Sequence, residues 1–429
     1  MIDKSKIELT ANKNTYILND LYTILFDKKL GGGAFGKIYS CINNKTKEVY
    51  ACKIEKPNIE NPQLSNEYKI LSLLKNLQFF PKCYKFCNSP HGYILILDHL
   101  GANLGVIMSK LQNKKYSMKS TLMIMTQCIE RLKEIHEKGI IHRDMKPENL
   151  VIGYKGKEKN IYLIDFGLSR LISADKKNQN VSIIKKEKIV VGTVRYISMN
   201  AHLGNEQYKK DDLESLAYIM VYFIKGELPW QNIKAKSRKE KYSKIYKMKK
   251  NSIPNELCEF LPEEMKTFVK YIINLNINKK PDYGMLTNLI NNLMQKYSYS
   301  NDLQFDWYSS SFLQMLYNSP VVDDGDHVKS TSIYEENSSN SDNNNNIRKI
   351  KTNKNNLTAS KKRENKLVLR DINKVHISQS PKDMTIKNIN NIHKKNVFDK
   401  EKDEYKNLLF SYSNYMDDNI FNRERLSSY

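Results

Sequence analysis

The chain has 429 residues, with 70 Lys/Arg against 47 Asp/Glu and a formal net charge of +23. That length excludes a minimal module and allows one large two-lobed domain or two to three ordinary ones, while the charge favours polyanionic or phosphorylated partners without choosing among them. Six cysteines, Cys41, Cys52, Cys83, Cys87, Cys128 and Cys258, form no CxxC pair and read as free thiols in a reducing compartment.

Residues 1–19 read as an N-terminal extension; MIDKSKIELT has no apolar signal core, so the chain reads as soluble and intracellular. Residues 22–54 alternate apolar and polar positions, interrupted by GGGAFG and INNKTKE, which predicts three antiparallel strands. A helix follows over 64–77, with Leu64, Tyr68, Leu71, Leu74 and Leu77 at helical spacing, and Gly92 to Leu97 is a short buried strand. Residues 119–138 form a long helical run ended by Gly139, and helical patterns dominate to 317. The longest apolar stretch, Leu216 to Ile224, is far shorter than the ~18–20 residues a membrane-spanning helix needs. From Asn318 the texture changes to runs such as NSSNSDNNNN, too poor in apolar residues to offset chain entropy, so 318–429 reads as a largely disordered tail. Leu367 to Ile372 and Tyr405 to Tyr415 keep weak apolar content for docking on a partner. Residues 1–320 hold 50 Lys/Arg and 31 Asp/Glu, net +19, so the excess charge belongs to the globular part.

Gly31-Gly32-Gly33-Ala34-Phe35-Gly36 matches GxGxxG. A strand rather than a helix follows, unlike the dinucleotide fold, and strand, glycine loop, strand lets bare backbone N–H groups close over nucleotide phosphates. Alone, such a cluster equally describes a tight hairpin. Lys53 lies on the next strand, and Glu67 on the predicted helix offers a carboxylate to aim it at α- and β-phosphates; an isolated strand lysine is otherwise a solvated edge group. The most specific signal is Ile141-His142-Arg143-Asp144-Met145-Lys146-Pro147-Glu148-Asn149-Leu150 followed by Leu163-Ile164-Asp165-Phe166-Gly167. Phosphoryl transfer needs these parts together: a carboxylate to orient the hydroxyl and take its proton, a cation for the γ-phosphate, and oxygen ligands for Mg²⁺.

These residues, with the stretch Gly192 to Gly204 where protein kinases generally carry A-P-E, and with Glu206-Gln207, Asp211 to Leu216, Leu228 to Gln231, Pro281-Asp282-Tyr283 and Phe305-Asp306-Trp307, resemble the casein kinase 1 family over residues 20–312. The resemblance implies an α+β, bilobal protein kinase fold: a small β-rich N-lobe over about 20–100, a larger mainly α C-lobe over about 101–317, and the disordered tail. It implies a serine/threonine protein kinase using ATP and Mg²⁺. By similarity Gly31, Gly33 and Gly36 cover the phosphates, Lys53 with Glu67 positions the nucleotide, and Ile38, Ala51 and the gatekeeper Leu97 contact it. Asp98 to Leu100 form the hinge whose backbone binds adenine. Asp144 is the base, Lys146 stabilises the transferred phosphoryl group, and Asn149 and Asp165 hold Mg²⁺; the intact set argues against a pseudokinase.

The family selects Ser or Thr a few residues after an acidic or phosphorylated residue, so acidic or phosphorylated proteins are the implied partners. The matching anion site is Arg195, Gln231 and Lys241, with a second cluster at Arg143, Arg170 and Lys188. Asn232 stands where the family usually has glycine, which puts the priming preference in question, and Glu148-Asn149-Leu150 replaces Asp-Asn-Phe without touching the metal position. The activation segment, Leu168 to Val191, contains Ser169, Ser173 and Ser182; the family does not generally require phosphorylation there, which implies constitutive activity. Cys83 and Cys87 read as ordinary thiols, Trp230 and Trp307 as core anchors, and His142 as structural. Lys361-Lys362-Arg363 with Lys366 is a weak nuclear-import pattern, and no cysteine follows Cys258 for tail lipidation. A cytoplasmic or nuclear monomer is therefore expected, without a membrane anchor. Tail sites such as Ser378, Ser380 and Ser411, once autophosphorylated, would be able to occupy the anion pocket. Two other readings are a kinase-fold scaffold, opposed by the intact catalytic set, and charge-driven nucleic-acid binding, for which no specific module is present.

Overall fold

The computed structural model describes residues 14–32, 36–57, 62–172 and 190–318. Gly33, Ser173, Ser182, Lys188 and the tail beyond Asn318 lie outside the described residues.

Six strands form one antiparallel sheet in the order β1-β2-β3-β4-β6-β5: β1 (Thr15–Leu18), β2 (Tyr22–Gly32), β3 (Gly36–Asn43), β4 (Val49–Glu55), β5 (Cys83–Ser89) and β6 (Gly92–Asp98). Alternation along the strands gives the sheet two apolar faces. Ile24, Cys41, Cys52, Ile54, Ile94 and Ile96 point to one, under Tyr16, Tyr39 and Tyr50. Leu95 and Leu97 point to the other, where helix α1 (Leu64–Leu73) packs Leu64, Ile70 and Leu71 into the main core. Two edge strands were not expected from the sequence. β1 lies inside the segment read as an extension, and its four residues are too few to display a period. β5 is only partly buried, so its CYKFCNS has no clean alternation to read.

The second lobe is mainly helical. It contains α2 (Leu104–Lys110), α3 (Met118–Glu137), α4 (Met199–His202), α5 (Lys209–Lys225), α6 (Arg238–Ser252), α7 (Asn255–Cys258), α8 (Glu263–Asn274), α9 (Tyr283–Lys296) and α10 (Ser310–Asn318). Short strand pairs lie among them: β7 (Ile140–Ile141) with β10 (Arg170–Leu171), and β8 (Leu150–Ile152) with β9 (Ile161–Leu163). The apolar run from Leu216 falls in α5, which is buried almost all round and packs against α3 and α8. No helix among the described residues is long and apolar enough to cross a membrane. All six cysteines are free.

The motif Phe305-Asp306-Trp307 closes the core beside the start of α3. The Asp306 carboxylate accepts the backbone N–H and the hydroxyl of Ser117, both at 2.7 Å, while Ser117 itself caps α3. Trp307 is fully buried, stacked on Phe305 at 4.3 Å and edge-on to Tyr116 at 5.8 Å, and its indole N–H donates to the Glu158 carbonyl. Truncating a buried aromatic of this kind, Trp307→Ala, is expected to cost about 3–5 kcal/mol of folding stability. Urea denaturation of the full-length chain measures it, and an unchanged midpoint would show that the anchor lies elsewhere.

Candidate active site

Strand alternation and one helical turn bring the first three groups together. On β4, Lys53 shares a face with Ala51 and stands opposite Ile38 on β3 and Leu95 on β6. Its ammonium donates to Glu67 Oε2 at 2.6 Å, from α1, and to Asp165 Oδ1 at 2.7 Å, from the turn after β9. Burial alone would lower the Lys53 pKa, but Asp165 and Glu67 hold it above its ordinary value. Burial likewise works against ionised Asp165, yet Lys53 and Lys146 hold its carboxyl well below the usual range. Glu67 is pushed up by burial and by Asp165, against the pull of Lys53. Asn66, one residue before Glu67, donates its Nδ2 to the carbonyls of Phe166, Gly167 and Ser169. Helix α1 is thus tied to the turn that carries Asp165, whose φ of 66° is left-handed, an uncommon conformation for an aspartate.

The loop between β7 and β8 carries the second group. Asp144 Oδ1 accepts both the N–H (2.9 Å) and the hydroxyl (2.8 Å) of Thr193, and its Oδ2 accepts from Lys146 Nζ at 2.6 Å. Burial would lower Lys146 as well, but Asp144 and Asp165 keep it above its ordinary value. Asn149 Nδ2 donates to the Asp144 carbonyl at 2.8 Å, leaving the amide oxygen as an acceptor. The loop's own scaffold is Asp212, 1% exposed in the first turn of α5, which accepts the N–H groups of His142 and Arg143, each at 2.8 Å, and His136 Nε2 at 2.9 Å. Burial raises and His136 lowers the Asp212 carboxyl, with a net fall. His136 is itself pulled down by burial; as a neutral ring it donates from Nε2 and accepts the Tyr283 hydroxyl at Nδ1, 2.6 Å away. His142 Nε2 meets the Ile164 carbonyl at 2.9 Å and so serves the frame of the loop.

At the glycine turn, Gly31 pairs with Ile38 across β2 and β3. A Cβ on Gly36 would sit 2.2 Å from the Ile54 carbonyl oxygen, so close approach of β3 to β4 requires glycine there. Ala51 stands opposite Leu97, which is 8% exposed near the end of β6. Asp98 closes β6 with its carboxylate on the Lys82 N–H (2.8 Å) and the Tyr84 hydroxyl (2.7 Å), and Leu100 follows outside any strand or helix. The side chain of Asp98 is thus engaged within the fold.

Of the positions expected to read anions, Arg195 lies in the segment 193–198. The Arg195 carbonyl accepts the Trp230 indole N–H at 2.8 Å, which ties this segment to the turn carrying Gln231. Gln231 uses its side-chain oxygen to accept the Leu228 N–H at 3.1 Å. Among the described residues neither Arg195 nor Lys241 pairs with a carboxylate. Asn232 has a φ of 61°, the left-handed region in which glycine is at ease and asparagine is tolerated. In the second cluster, burial and the nearby Arg170 guanidinium pull Arg143 below its ordinary value. Arg143 Nε donates to the Leu168 carbonyl, whereas Arg170 is engaged by the Glu206 carboxylate and the Gln207 carbonyl.

Sequence reasoning assigned no role to Thr193, Asp212 or Asn66. Asp212 sits in sequence beside Lys209 and Lys210, so nothing marks it as buried, and Thr193 gave no signal because its partner lies 49 residues away. For a divalent ion, Asn149 Oδ1 and Asp165 Oδ2 remain as hard oxygen donors that accept no hydrogen bond from the described residues, a set that suits Mg²⁺.

The protein kinase domain family matches residues 24–294. Casein kinase I homolog 2 of Schizosaccharomyces pombe is 34% identical over 298 residues, spanning 69% of this chain and 68% of that protein.

Replacing Asp212 by alanine leaves buried donors without an acceptor. Asp212→Ala is expected to lose about 3 kcal/mol or more of stability, the sum of two or three orphaned buried groups. Urea titration of the variant measures the loss, and a wild-type midpoint would refute the role given to this carboxylate.

Proposed function

The chain belongs to the casein kinase 1 family of protein kinases, and from that membership we propose that it transfers the γ-phosphoryl group of ATP to Ser or Thr in acidic or already phosphorylated proteins. The observation that carries the proposal is the Asp144 carboxylate, held by Thr193 on one oxygen and Lys146 on the other, beside the ion-paired trio of Lys53, Glu67 and Asp165.

In this reading Asp144 orients the acceptor hydroxyl and takes its proton, and Lys146 offsets charge on the phosphoryl group. Lys53, aimed by Glu67, binds the α- and β-phosphates under the turn of Gly31, Gly33 and Gly36. Ile38, Ala51 and Leu97 enclose the adenine, whose edge meets the backbone of Asp98 to Leu100. Asn149 and Asp165 would hold Mg²⁺, whose positive charge would offset that of the phosphates. Arg195, Gln231 and Lys241 receive the acidic or phosphorylated residue of the substrate; among the described residues neither cation is engaged in a salt bridge. Of the second cluster, Arg170 is already engaged by Glu206, which leaves Arg143 as its anion-reading cation among the described residues. Proteins of the cytoplasm or nucleus are the substrates that fit.

The test is radiolabel transfer from ATP with Mg²⁺ to casein and to matched peptides. Asp144→Asn is expected to lower turnover by about 10²–10⁴-fold, the usual contribution of a positioned base. Arg195→Ala combined with Lys241→Ala is expected to lower kcat/KM for a phosphorylated peptide by about tenfold or more while sparing a neutral peptide, the scale of one or more charge-assisted hydrogen bonds. Equal loss on both peptides would refute the anion site, and retained turnover in Asp144→Asn would refute the base.

A further inference from the structure

A lysine buried without a carboxylate is rare, because an unpaired ammonium is costly to remove from water. Lys249 of α6 is 0% exposed. Its ammonium donates to the carbonyls of Val194 (3.1 Å) and Ile197 (2.6 Å) and lies over the rings of Tyr218 (4.9 Å) and Trp230 (5.2 Å). The acid that acts on it is Glu214, whose Oε1 is already taken by the Met199 N–H and the Tyr218 hydroxyl. Core packing alone does not require this residue, since a methionine has the same reach and would fill the slot between two rings.

What the ammonium adds is a grip on the backbone of 194–197. Thr193, immediately before, holds Asp144 Oδ1 by two hydrogen bonds, and Arg195 lies between the two gripped carbonyls. Helix α6 also carries Lys241. We propose that Lys249 is a positioning residue for the protein substrate: by holding the carbonyls of Val194 and Ile197 it keeps the anion-reading side chains of α6 and of the 193–197 segment in register with Asp144. The proposal rests on the kinase reading of the same site.

The groups facing Lys249 allow a test that separates positioning from simple stability. They are Glu214 and Tyr218 from α5, His202 from α4 and the Trp230 ring. Burial pulls Lys249 down to about 7 from its ordinary 10.5, only partly opposed by Glu214. His202 is pulled to about 2 by burial and by Lys249, so it stays neutral and does not titrate near neutrality. Between the folded and unfolded values the unfolded chain binds more protons, so stability attributable to this lysine rises with pH above neutrality. Over the same range the grip on two carbonyls weakens as the ammonium is lost. A lysine with only a structural part produces the first trend without the second.

The experiment measures KM for an Asp-rich peptide, whose charge is constant in this range, together with KM for ATP and the melting temperature of the full-length chain, from about pH 6.5 to about pH 9. In the wild type the peptide KM is expected to rise about tenfold across the range, the scale of one charge-assisted hydrogen bond, while KM for ATP moves less than about twofold. Lys249→Met is expected to show the raised peptide KM at every pH and to melt at or above the wild-type temperature. A Lys249→Met chain with wild-type peptide KM, or peptide and ATP constants that move together, overturns the proposal. If that variant fails to fold, the wild-type series decides alone: a pH-flat peptide KM refutes the positioning role. A wild-type chain that labels no peptide at any pH overturns the kinase reading and this inference with it, whereas active transfer with a flat profile overturns only the latter.

Discussion

A carboxylate buried at the head of α5 sets the geometry on which the site depends. Asp212 is almost wholly removed from water, and a charge in that position costs several kcal/mol unless donors surround it. The donors are the N–H groups of His142 and Arg143 and the ring of His136, with the positive end of the α5 dipole as an additional source of field. Because two consecutive backbone N–H groups must face one carboxylate, the chain there bends into the left-handed conformation seen at Arg143, with a φ of 69°. The bend presents Asp144 to the cleft and turns His142 inward to the Ile164 carbonyl. The buried carboxylate at the head of α5 therefore serves the fold by fixing the loop that carries Asp144.

The two lobes meet through charge as well as packing. Lys53 lies between two carboxylates that come from different elements, Glu67 from α1 and Asp165 from the turn after β9. Removing Lys53 would leave like charges facing each other in a poorly solvated place, which is why the three groups act as one unit. Asn66 binds the same turn through three carbonyls, so α1 holds Asp165 both by its backbone surroundings and by its ion pair. The sheet supports this by dividing its residues between two cores: the cysteine and isoleucine face is sealed under tyrosines, and the opposite face is left for Ala51, Lys53 and Leu97.

Residues 190–198 form the third point of convergence. Gly192, at φ 105°, lies so close to Arg143 that a Cβ would sit 2.5 Å from its carbonyl oxygen. Thr193 reaches Asp144, Arg195 receives Trp230, Lys249 grips the carbonyls on either side, and Ser198 donates to Asp211 at 2.5 Å. Burial raises the Asp211 carboxyl to about 6. Glu214 accepts the Met199 N–H at the end of the same stretch. A segment with no regular structure of its own is thus fixed by side chains from α5, α6 and the loop before β8.

The sequence by itself determined the strands and helices with a clear period, the bilobal α+β architecture, and the identity of Lys53, Glu67, Asp144, Lys146, Asn149 and Asp165 as a chemically coherent set. Periodicity and motif spacing are local properties, and a chain of this length carries enough of them to be read. Short or half-buried edge strands such as β1 and β5 escaped, because too few of their positions repeat. Tertiary structure alone decided that Thr193 braces Asp144, that Asp212 anchors the loop, that Arg170 is engaged by Glu206, and that Lys249 is buried under Val194 and Ile197. In each case the partner lies tens of residues away, and a lysine or aspartate in sequence looks the same whether water or a carbonyl will meet it. Only the packing of the elements removes the water and so decides which charges carry structural weight.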